Sequence, residues 1–249
     1  MEKVNKKNTE WFEDWFDSPF YHILYKNRDD KEAQVFISNL ITLLNPNKES
    51  LFVDVACGKG RHAMFLNSLG YTVDGFDLSE NSITNARLKE TSTLQFFTND
   101  IREPLKRNHY DFAFNLFTSF GYFDDENDNQ KAINAIAESL NTNGILVLDF
   151  MNSIKVIQHL NKQETKEIDT IKFNIKRSFT NGHIVKDINF EAENIQYQYQ
   201  EKVKSISLEA FKNYFLKANL TIDAIFGDYD LNPFELENSD RLILVARKK

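Results

Sequence analysis

The sequence predicts an α/β fold, namely a Rossmann-like, doubly wound and mostly parallel seven-stranded sheet with an antiparallel β insert and a helical N-terminal segment. Three observations carry this prediction. Short, almost wholly apolar runs alternate with helical patterns between Leu51 and Phe150, two strand-like runs close the chain, and a region of period-two alternation follows the fifth run. Apolar runs of this kind are typical of parallel strands that are covered on both faces.

The predicted strands of the main sheet are separated by helical sequence, which favours right-handed crossovers and a parallel order. Ser79 is expected to cap the helix after the second strand. The helix after the fourth strand is expected to run from about Asp128 to Leu140 and to end at the turn signal Asn143-Gly144. The seven strands are predicted at residues 51–55, 72–76, 94–97, 111–115, 145–150, 220–226 and 242–246.

Residues 1–249 are interpreted as one domain, with residues 1–46 as a helical lid and residues 160–205 as the insert. Trp11 and Trp15 recur at helical spacing in the first segment. In the insert apolar and polar residues alternate, and Asn181-Gly182 is a strong hairpin signal. One face of the insert is apolar and needs a cover. The substrate side of the sheet or another subunit would provide it, so homo-oligomerisation through the insert is one expectation.

Composition narrows the classes of partner. Lys and Arg total 30 against 37 Asp and Glu, which gives a formal net charge of -7. Such a surface repels phosphate backbones, so no nucleic-acid partner is expected. The single cysteine, Cys57, excludes an intramolecular disulfide, and no apolar run approaches the length of a membrane span. A cytoplasmic protein without a membrane partner is predicted. The five histidines form no metal-ligand spacing, so no metal site is predicted.

The residues that indicate chemistry follow the first three strands. A Gly-containing turn, Ala56-Cys57-Gly58-Lys59-Gly60, leads from the first strand into a helix, whose N-terminus offers N–H donors to a ligand. Asp54, Asp77 and Asp100 fall at the carboxyl ends of neighbouring strands, where open α/β sheets bind ligands. Because an acid at the end of an apolar strand is unfavourable without a partner, a functional role for Asp54 is favoured over simple capping.

These residues resemble those of the class I S-adenosylmethionine-dependent methyltransferases over residues 51–150, and more loosely over 207–247. The resemblance implies S-adenosylmethionine as cofactor, with the turn around its methionine part and Asp54 near the amino group. It places Asp77 on the ribose with Leu78 against the adenine, and Asp100 at the adenine amino group with Ile101 beside it. One departure is Ala56, which stands where the family usually has its first glycine and which fits if its φ angle is negative.

The segment after the fourth strand and the N-terminal segment complete the predicted site. Asn115 and Leu116 resemble the residues that face the sulfonium, and the aromatic loop after them suits a small-molecule acceptor, with Phe117 and Tyr122 as substrate contacts. The resemblance to small-molecule N-methyltransferases with an N-terminal lid implies that Tyr21 and Arg28 reach the cofactor. No general base is assigned.

The predicted activity is methyl transfer to a small-molecule amine or hydroxyl by in-line displacement. Two alternatives remain open from the sequence. Residues 58–63 also satisfy the dinucleotide pattern G-x-G-x-x-A, which on its own indicates a nicotinamide oxidoreductase. A protein that binds the cofactor without turnover is the second alternative.

Overall fold

The structure is a computed structural model that describes residues 11–26 and 30–249. The chain divides into two compact units, which are treated separately below. The larger unit contains Asp29–His159 and Lys204–Lys249, and the smaller unit contains residues up to Arg28 and Leu160–Val203. In chain order the helices and strands are α1 (Trp11–Phe16), α2 (Pro19–Leu24), α3 (Asp30–Leu44), β1 (Leu51–Val55), α4 (Arg61–Ser68), β2 (Thr72–Asp77), α5 (Glu80–Arg87), β3 (Leu94–Thr98), β4 (Tyr110–Asn115), α6 (Glu126–Ser139), β5 (Leu140–Met151), α7 (Ser153–Gln158), β6 (Gln163–Ile168), β7 (Ile171–Thr180), β8 (His183–Ala192), β9 (Ile195–Lys204), α8 (Leu208–Lys217), β10 (Leu220–Phe226) and β11 (Arg241–Lys248).

The larger unit is built on a seven-stranded sheet of order β10-β11-β5-β4-β1-β2-β3. Strands β1 to β5 are parallel, whereas β11 is antiparallel to β5 and to β10. The predicted fold class is therefore confirmed. The strand order reverses direction between β1 and β4, and the carboxyl ends of β1 to β5 meet at one edge, which is where such sheets bind ligands.

Several phenylalanine side chains pack in this core. Phe52 and Phe112 stack across the β1–β4 pair with ring centroids 4.8 Å apart. Phe36, Phe96 and Phe114 are also fully buried. Each aromatic ring buries a large apolar area, so this layer should contribute a major part of the stability of the unit.

The helix after β4 ends within one residue of the predicted Leu140, but the predicted C-cap at Asn143-Gly144 is wrong. Helix α6 ends at Ser139, and Leu140 is already extended with φ -76° and ψ 145°. The turn signal Asn143-Gly144 lies inside β5, where the pairing with β4 is irregular. Asn143 has a φ of 64°, so the residue adopts the left-handed conformation that the signal predicts, but as a strand irregularity and not as a helix cap.

The smaller unit contains a four-stranded antiparallel sheet of order β6-β7-β8-β9. The predicted hairpin at Asn181-Gly182 is confirmed, since it joins β7 to β8 with Thr180 opposite His183. Two further turns, Asp169-Thr170 and Glu193-Asn194, also have positive φ at both residues. Such turns match the right-handed twist of the strands that they connect.

The apolar face of this sheet is covered by the chain's own N-terminal helices. Phe20 of α2 packs on Phe190 at 4.8 Å and on Tyr197 at 4.6 Å, and Trp15 of α1 packs on Tyr199 at 4.5 Å. The sequence analysis expected the substrate side of the sheet or another subunit to cover this face, and neither expectation includes the N-terminal helices. Homo-oligomerisation through the insert stays a prediction, but it loses the argument that the face needs a partner.

A partly buried polar cluster joins the same elements. Trp15 Nε1 and Tyr25 Oη each donate to Glu201 Oε1 at 2.7 Å, and Lys186 pairs with Glu201 at 3.2 Å. Burial lowers the pKa of Lys186, although Glu201 opposes the shift.

Helix α3, unlike α1 and α2, belongs to the larger unit. The lid formed by residues 1–46 stays a prediction. No helix in the described part of the chain is long and apolar enough to cross a membrane.

Candidate functional site

The turn after β1 is left-handed at three positions. The φ angles of Ala56, Gly58 and Gly60 are 57°, 56° and 80°. The expectation that Ala56 has a negative φ is therefore wrong. An L-residue in the left-handed region of φ carries a strain of about 1–2 kcal/mol. A Cβ on Gly60 would meet the Phe96 ring at 2.4 Å, whereas a Cβ on Gly58 would meet nothing within 4 Å. Gly60 is thus needed for packing, and Gly58 leaves open space in which a ligand can approach the backbone.

Asp54 is buried at the end of β1 and binds the first turn of α4. Its Oδ2 accepts the Ala63 N–H at 3.1 Å. Burial raises the pKa of Asp54 to about 7, the Ala63 hydrogen bond opposes this shift, the charge of Asp77 adds to it, and the charge of Arg61 lowers the pKa. The carboxyl group is therefore poised between its two forms near neutral pH and would gain from a cationic partner.

Asp77 connects the turns that follow β1 and β2. Its Oδ2 accepts the Gly58 N–H at 2.8 Å and its Oδ1 accepts the Ser79 N–H at 2.9 Å. The structure thereby brings two of the predicted cofactor residues into direct contact. A carboxylate offers about four acceptor positions, so these bonds orient the group in a manner compatible with ribose hydroxyls. Leu78 follows on the surface and is 37% exposed.

Asp100 is held by an arginine that the sequence reading missed. Arg102 binds Asp100 through Nε at 3.0 Å and through Nη2 at 2.6 Å. The same guanidinium reaches Asp128 at 3.2 Å and lies 4.5 Å from the centre of the Phe123 ring. Ile101, which lies between Asp100 and Arg102 in the sequence, is half-buried. The i, i+2 spacing of Asp100 and Arg102 was the available signal, and it is a weak one because surface ion pairs of this spacing are common.

Asn115 ends β4 in the interior. It is fully buried, and its Nδ2 donates to Val55 O at 3.1 Å and to Ser119 O at 3.2 Å. Its Oδ1 is buried without a hydrogen-bond partner among the described residues. An unsatisfied buried acceptor is unfavourable and calls for a ligand or a water molecule. Leu116 is 2% exposed and packs in the core of the larger unit.

The segment after β4 has two consecutive non-glycine residues with positive φ, Phe117 at 57° and Thr118 at 60°. Asp149 of β5 fixes both. Its Oδ2 accepts the Phe117 N–H at 2.7 Å, and its backbone oxygen accepts the Thr118 N–H at 3.0 Å. Strained backbone of this kind persists where the surroundings over-determine it.

A buried ion pair completes this arrangement. Arg241 Nε donates to Asp149 Oδ1 at 2.7 Å, and Arg241 Nη2 donates to Thr118 Oγ1 at 2.9 Å. Asp149 is fully buried. Burial by itself would lower the pKa of Arg241, but the charge and hydrogen bond of Asp149, together with the charges of Tyr229 and Glu32, raise the pKa overall. The signal that singles out Asp54, an acid near the end of an apolar strand, applies equally to Asp149.

The two predicted substrate residues lie in the same segment. The Phe117 ring stacks on His62 at 5.0 Å with an angle of 20° between the planes, and its centre lies 5.1 Å from the Tyr229 ring. Tyr122 Oη donates to Thr118 O at 2.6 Å. Burial and the Asp149 carboxylate raise the pKa of Tyr229, so its phenol stays neutral at physiological pH.

The two predicted residues of the N-terminal segment are placed differently. Tyr21 lies in α2 of the smaller unit, with its ring centre 5.6 Å from Trp15 and 4.9 Å from Tyr25. Arg28 lies outside the described residues. Their predicted contacts with a cofactor therefore stay predictions.

The described residues fit a nucleoside with an amino-acid end. Hydrogen bonds bring Asp77 to Gly58 and tie Asp54 to the start of α4. The open space at Gly58 lies in the turn after β1, and the unsatisfied Oδ1 of Asn115 lies at the end of the neighbouring strand β4. Among residues 11–26 and 30–249 no group of three or more His, Cys, Asp or Glu could hold a metal ion.

Comparison with known proteins agrees with this geometry. Residues 52–144 match the family described as "Methyltransferase domain". A dTDP-3-amino-3,4,6-trideoxy-α-D-glucopyranose N,N-dimethyltransferase of Streptomyces venezuelae is 31% identical over 132 residues, which is 52% of this chain and 54% of that protein.

Solved structures share the fold over nearly the whole chain. An S-adenosylmethionine-dependent methyltransferase of Clostridium acetobutylicum superposes with a TM-score of 0.78 at 19% identity, covering 92% of this chain and 96% of that one. The amino pentose methyltransferase CalS10 of Micromonospora echinaspora, solved with S-adenosylmethionine bound, gives a TM-score of 0.73 at 15% identity, with 93% and 98% covered. Residues 52–144 therefore match a methyltransferase domain, and the chain shares the fold of S-adenosylmethionine-dependent methyltransferases of known structure.

Proposed function

We propose that this methyltransferase acts on a small-molecule amine or hydroxyl, and that an amino group on a sugar is the first acceptor class to test. The observation that carries the proposal is the preformed segment after β4. Its backbone is fixed at Phe117 and Thr118 by Asp149 and Arg241, and it follows directly on Asn115. A rigid aromatic wall at the carboxyl end of β4 suits a half-buried small molecule.

The cofactor site is assigned from the contacts in the larger unit. Asp54 takes the α-ammonium, the turn at Ala56, Gly58 and Gly60 follows the methionine part, and Asp77 takes the ribose hydroxyls. Leu78 and Ile101 flank the adenine, with Asp100 at its amino group. Asn115 and Leu116 border the sulfonium. The assignment of Tyr21 and Arg28 to the cofactor rests on the family resemblance alone. When bound, the cofactor supplies an electrophilic methyl group, so the chain's own task is to align the acceptor and to exclude water.

An amine acceptor demands the least from the described residues. A neutral amine attacks without a general base, whereas a sugar hydroxyl needs one near the nucleophile. The side chains around Phe117 are already engaged: Asp149 is paired with Arg241, and Tyr229 has a raised pKa. Phe117 and Tyr122 are assigned as acceptor contacts, and no general base is assigned.

The similar proteins support the same class. The relative from Streptomyces venezuelae is named for N,N-dimethylation of an amino sugar linked to dTDP, and CalS10 is an amino pentose methyltransferase. KedS8, a sugar N-methyltransferase of Streptoalloteichus, also shares the fold with a TM-score of 0.74 at 16% identity.

The test is a coupled assay for S-adenosylhomocysteine across paired acceptors, each pair being an amino sugar and the same sugar with a hydroxyl at that position, free and nucleotide-linked. We expect turnover with the amine of at least one pair and not with its hydroxyl counterpart. Turnover only with hydroxyls would replace the amine with a hydroxyl acceptor. Cofactor binding without turnover on any acceptor would favour the non-catalytic alternative, and binding of NADH in place of S-adenosylmethionine would favour the oxidoreductase.

A further inference from the structure

The connection between β10 and β11, residues 227–240, lies at the carboxyl edge of the sheet, because β11 begins opposite Met151, the last residue of β5. Connections of this length without a helix or strand of their own are usually either functional or disordered. This one is fixed, since the Gly227 N–H donates to Asn232 O at 2.8 Å and the Arg241 N–H donates to Gly227 O at 2.8 Å. It can therefore hold a side chain in a defined position beside the site.

Tyr229 joins this connection to helix α3 and to the segment after β4. Its backbone oxygen accepts a hydrogen bond from Asn39 Nδ2 at 2.9 Å, and its ring centre lies 4.5 Å from that of Phe36, both residues of α3. The same ring lies 5.1 Å from the Phe117 ring, with an angle of 41° between the planes. Tyr229 thus packs on a buried helix and on the residue that begins the strained segment.

The hydroxyl of Tyr229 binds the carboxylate that fixes this segment. Tyr229 Oη donates to Asp149 Oδ2 at 3.4 Å, and the same oxygen accepts the Phe117 N–H at 2.7 Å. The Arg241 guanidinium, which pairs with Asp149, lies 5.4 Å from the centre of the Tyr229 ring. A hydroxyl bond of 3.4 Å is long and therefore weak, so the ring of Tyr229 should matter more than its hydroxyl.

The conformation of Phe117 shows what such a residue can do. Asp149 binds the N–H groups of Phe117 and Thr118, but these bonds fix the backbone and leave the Phe117 ring to its own contacts. Those contacts include His62 at 5.0 Å and Tyr229 at 5.1 Å. In-line transfer depends on alignment, and a misplacement of about 1 Å by a distant change can cost about a hundredfold in rate.

We infer that Tyr229 is a positioning residue for methyl transfer, which holds the Phe117 ring where the acceptor binds and so makes the connection between β10 and β11 part of the acceptor site. The inference rests on the proposed function, in which Phe117 is an acceptor contact. Tyr229 acts through Phe117 and does not itself touch the reacting atoms.

The first measurement needs no acceptor. Amide hydrogen exchange of residues 116–122 is followed by mass spectrometry with S-adenosylhomocysteine bound, in the wild type, Tyr229→Leu and Tyr229→Phe. We expect exchange of the segment to be faster by about tenfold in Tyr229→Leu, which loses an aromatic pair, and to stay within about threefold of wild type in Tyr229→Phe, which keeps it. Leu236→Ala is the matched control, because it removes an exposed apolar side chain from the same connection and should leave the exchange unchanged.

The second measurement uses the amino sugar that the wild type methylates in the paired assay. Tyr229→Leu should lower kcat by about tenfold to a hundredfold, while the affinity for S-adenosylhomocysteine changes by less than about threefold. Tyr229→Phe should restore most of the loss. In a Phe117→Leu background the same Tyr229→Leu change should cost less than about threefold more, because a residue that acts through Phe117 then has nothing to position.

The outcomes separate the inference from the proposed function. Unchanged exchange in Tyr229→Leu overturns the inference, and so does a loss of kcat that adds fully to that of Phe117→Leu. Faster exchange with an unchanged kcat shows a structural role and also overturns it. If circular dichroism shows that Tyr229→Leu does not fold, Tyr229→Met, which fills more of the space, carries the same test. A wild type that methylates no amine contradicts the proposed function, and the exchange measurement then decides by itself whether Tyr229 holds the segment.

Discussion

Two left-handed turns lie side by side at the carboxyl edge of the sheet, one after β1 and one after β4, and they are stabilised in different ways. The turn after β1 uses glycine at Gly58 and Gly60, which adopt positive φ without strain. The turn after β4 places Phe117 and Thr118 in the same region of φ. No glycine occurs at these two positions, so the strain there must be offset by contacts from elsewhere in the chain.

The contacts that hold Phe117 and Thr118 come from residues far away in the sequence. Asp149 and Arg241, which are 92 residues apart, meet at 2.7 Å and together bind the N–H of Phe117 and the hydroxyl of Thr118. The difference shows that one wall of the site is determined locally and the other by tertiary packing. We therefore expect the first turn to tolerate changes in the rest of the sheet and the second to be sensitive to them.

The largest effect is expected from Asp149→Ala, which removes the anion of the buried pair. Arg241 would be left buried and uncompensated, and breaking such a pair typically destabilises a protein by about 3–5 kcal/mol. The free energy of unfolding from urea denaturation measures this change. Asp240→Ala is the control, because it breaks an ion pair with Lys155 in which Asp240 is 77% exposed, and it should have little effect. A similarly small effect of Asp149→Ala would show that the second turn does not depend on the pair.

The next effect concerns the contact that joins the first turn to β2. Asp77→Ala removes the acceptor of the Gly58 N–H and of the Ser79 N–H, together with the proposed ribose contact. We expect the affinity for S-adenosylhomocysteine to fall by more than about a hundredfold, as for the loss of several charge-assisted hydrogen bonds. Calorimetric titration measures it, with the exposed acid Glu80→Ala as control. Undiminished binding by a folded Asp77→Ala protein would refute the assignment of the ribose site.

A smaller effect is expected from pH, through Asp54. Its folded pKa is raised from 3.8 to about 7, so the carboxyl group is largely protonated in the free enzyme at pH 6. Folding stability from this group is present at low pH and is lost as the pH rises towards 7. Cofactor binding has the opposite sign, because the α-ammonium pairs with the ionised form.

The affinity for S-adenosylhomocysteine should therefore rise by up to about tenfold per pH unit below pH 7 and level off above it. Asp54→Asn should bind more weakly and lose this dependence. The same slope in wild type and Asp54→Asn would assign the titration to another group.

The smallest effect sharpens the comparison at its weakest point, Ala56. Replacement by glycine relieves a left-handed strain of about 1–2 kcal/mol and costs about 0.4–1 kcal/mol in unfolded-chain entropy. Ala56→Gly should therefore stabilise the protein by up to about 1.6 kcal/mol in urea denaturation. Thr118→Gly relieves a similar strain but loses the hydrogen bond to Arg241, so it should not stabilise. Equal stabilisation by both changes would mean that the two turns are held alike.

Much of the fold follows from the sequence because its signals are local. Apolar runs predicted the positions of the seven strands, Ser79 caps the helix that it was expected to begin, and Asn181-Gly182 forms its hairpin. The edge of the sheet that holds Asp54, Asp77 and Asp100 was predicted for the same reason, since acids that follow apolar strands mark the carboxyl ends.

Other features depended on which distant side chains came together. The sequence does not indicate that Arg241 pairs with Asp149 or that Arg102 also reaches Asp128. The helices α1 and α2 cover the insert because aromatic rings of both elements pack together, which no periodicity within either element specifies.

By itself, therefore, the sequence determined the mostly parallel α/β fold class, the hairpin at Asn181-Gly182 and the acids at the sheet edge. Backbone preference and burial pattern act over a few residues, so both can be recognised in the sequence. Only the tertiary structure decided which buried charges are paired, why Phe117 and Thr118 hold a strained backbone, and where Ala56 departs from the expected φ. A buried charge and a left-handed backbone conformation at a non-glycine residue are each unfavourable on their own. These features therefore exist only where partners from other elements offset their cost.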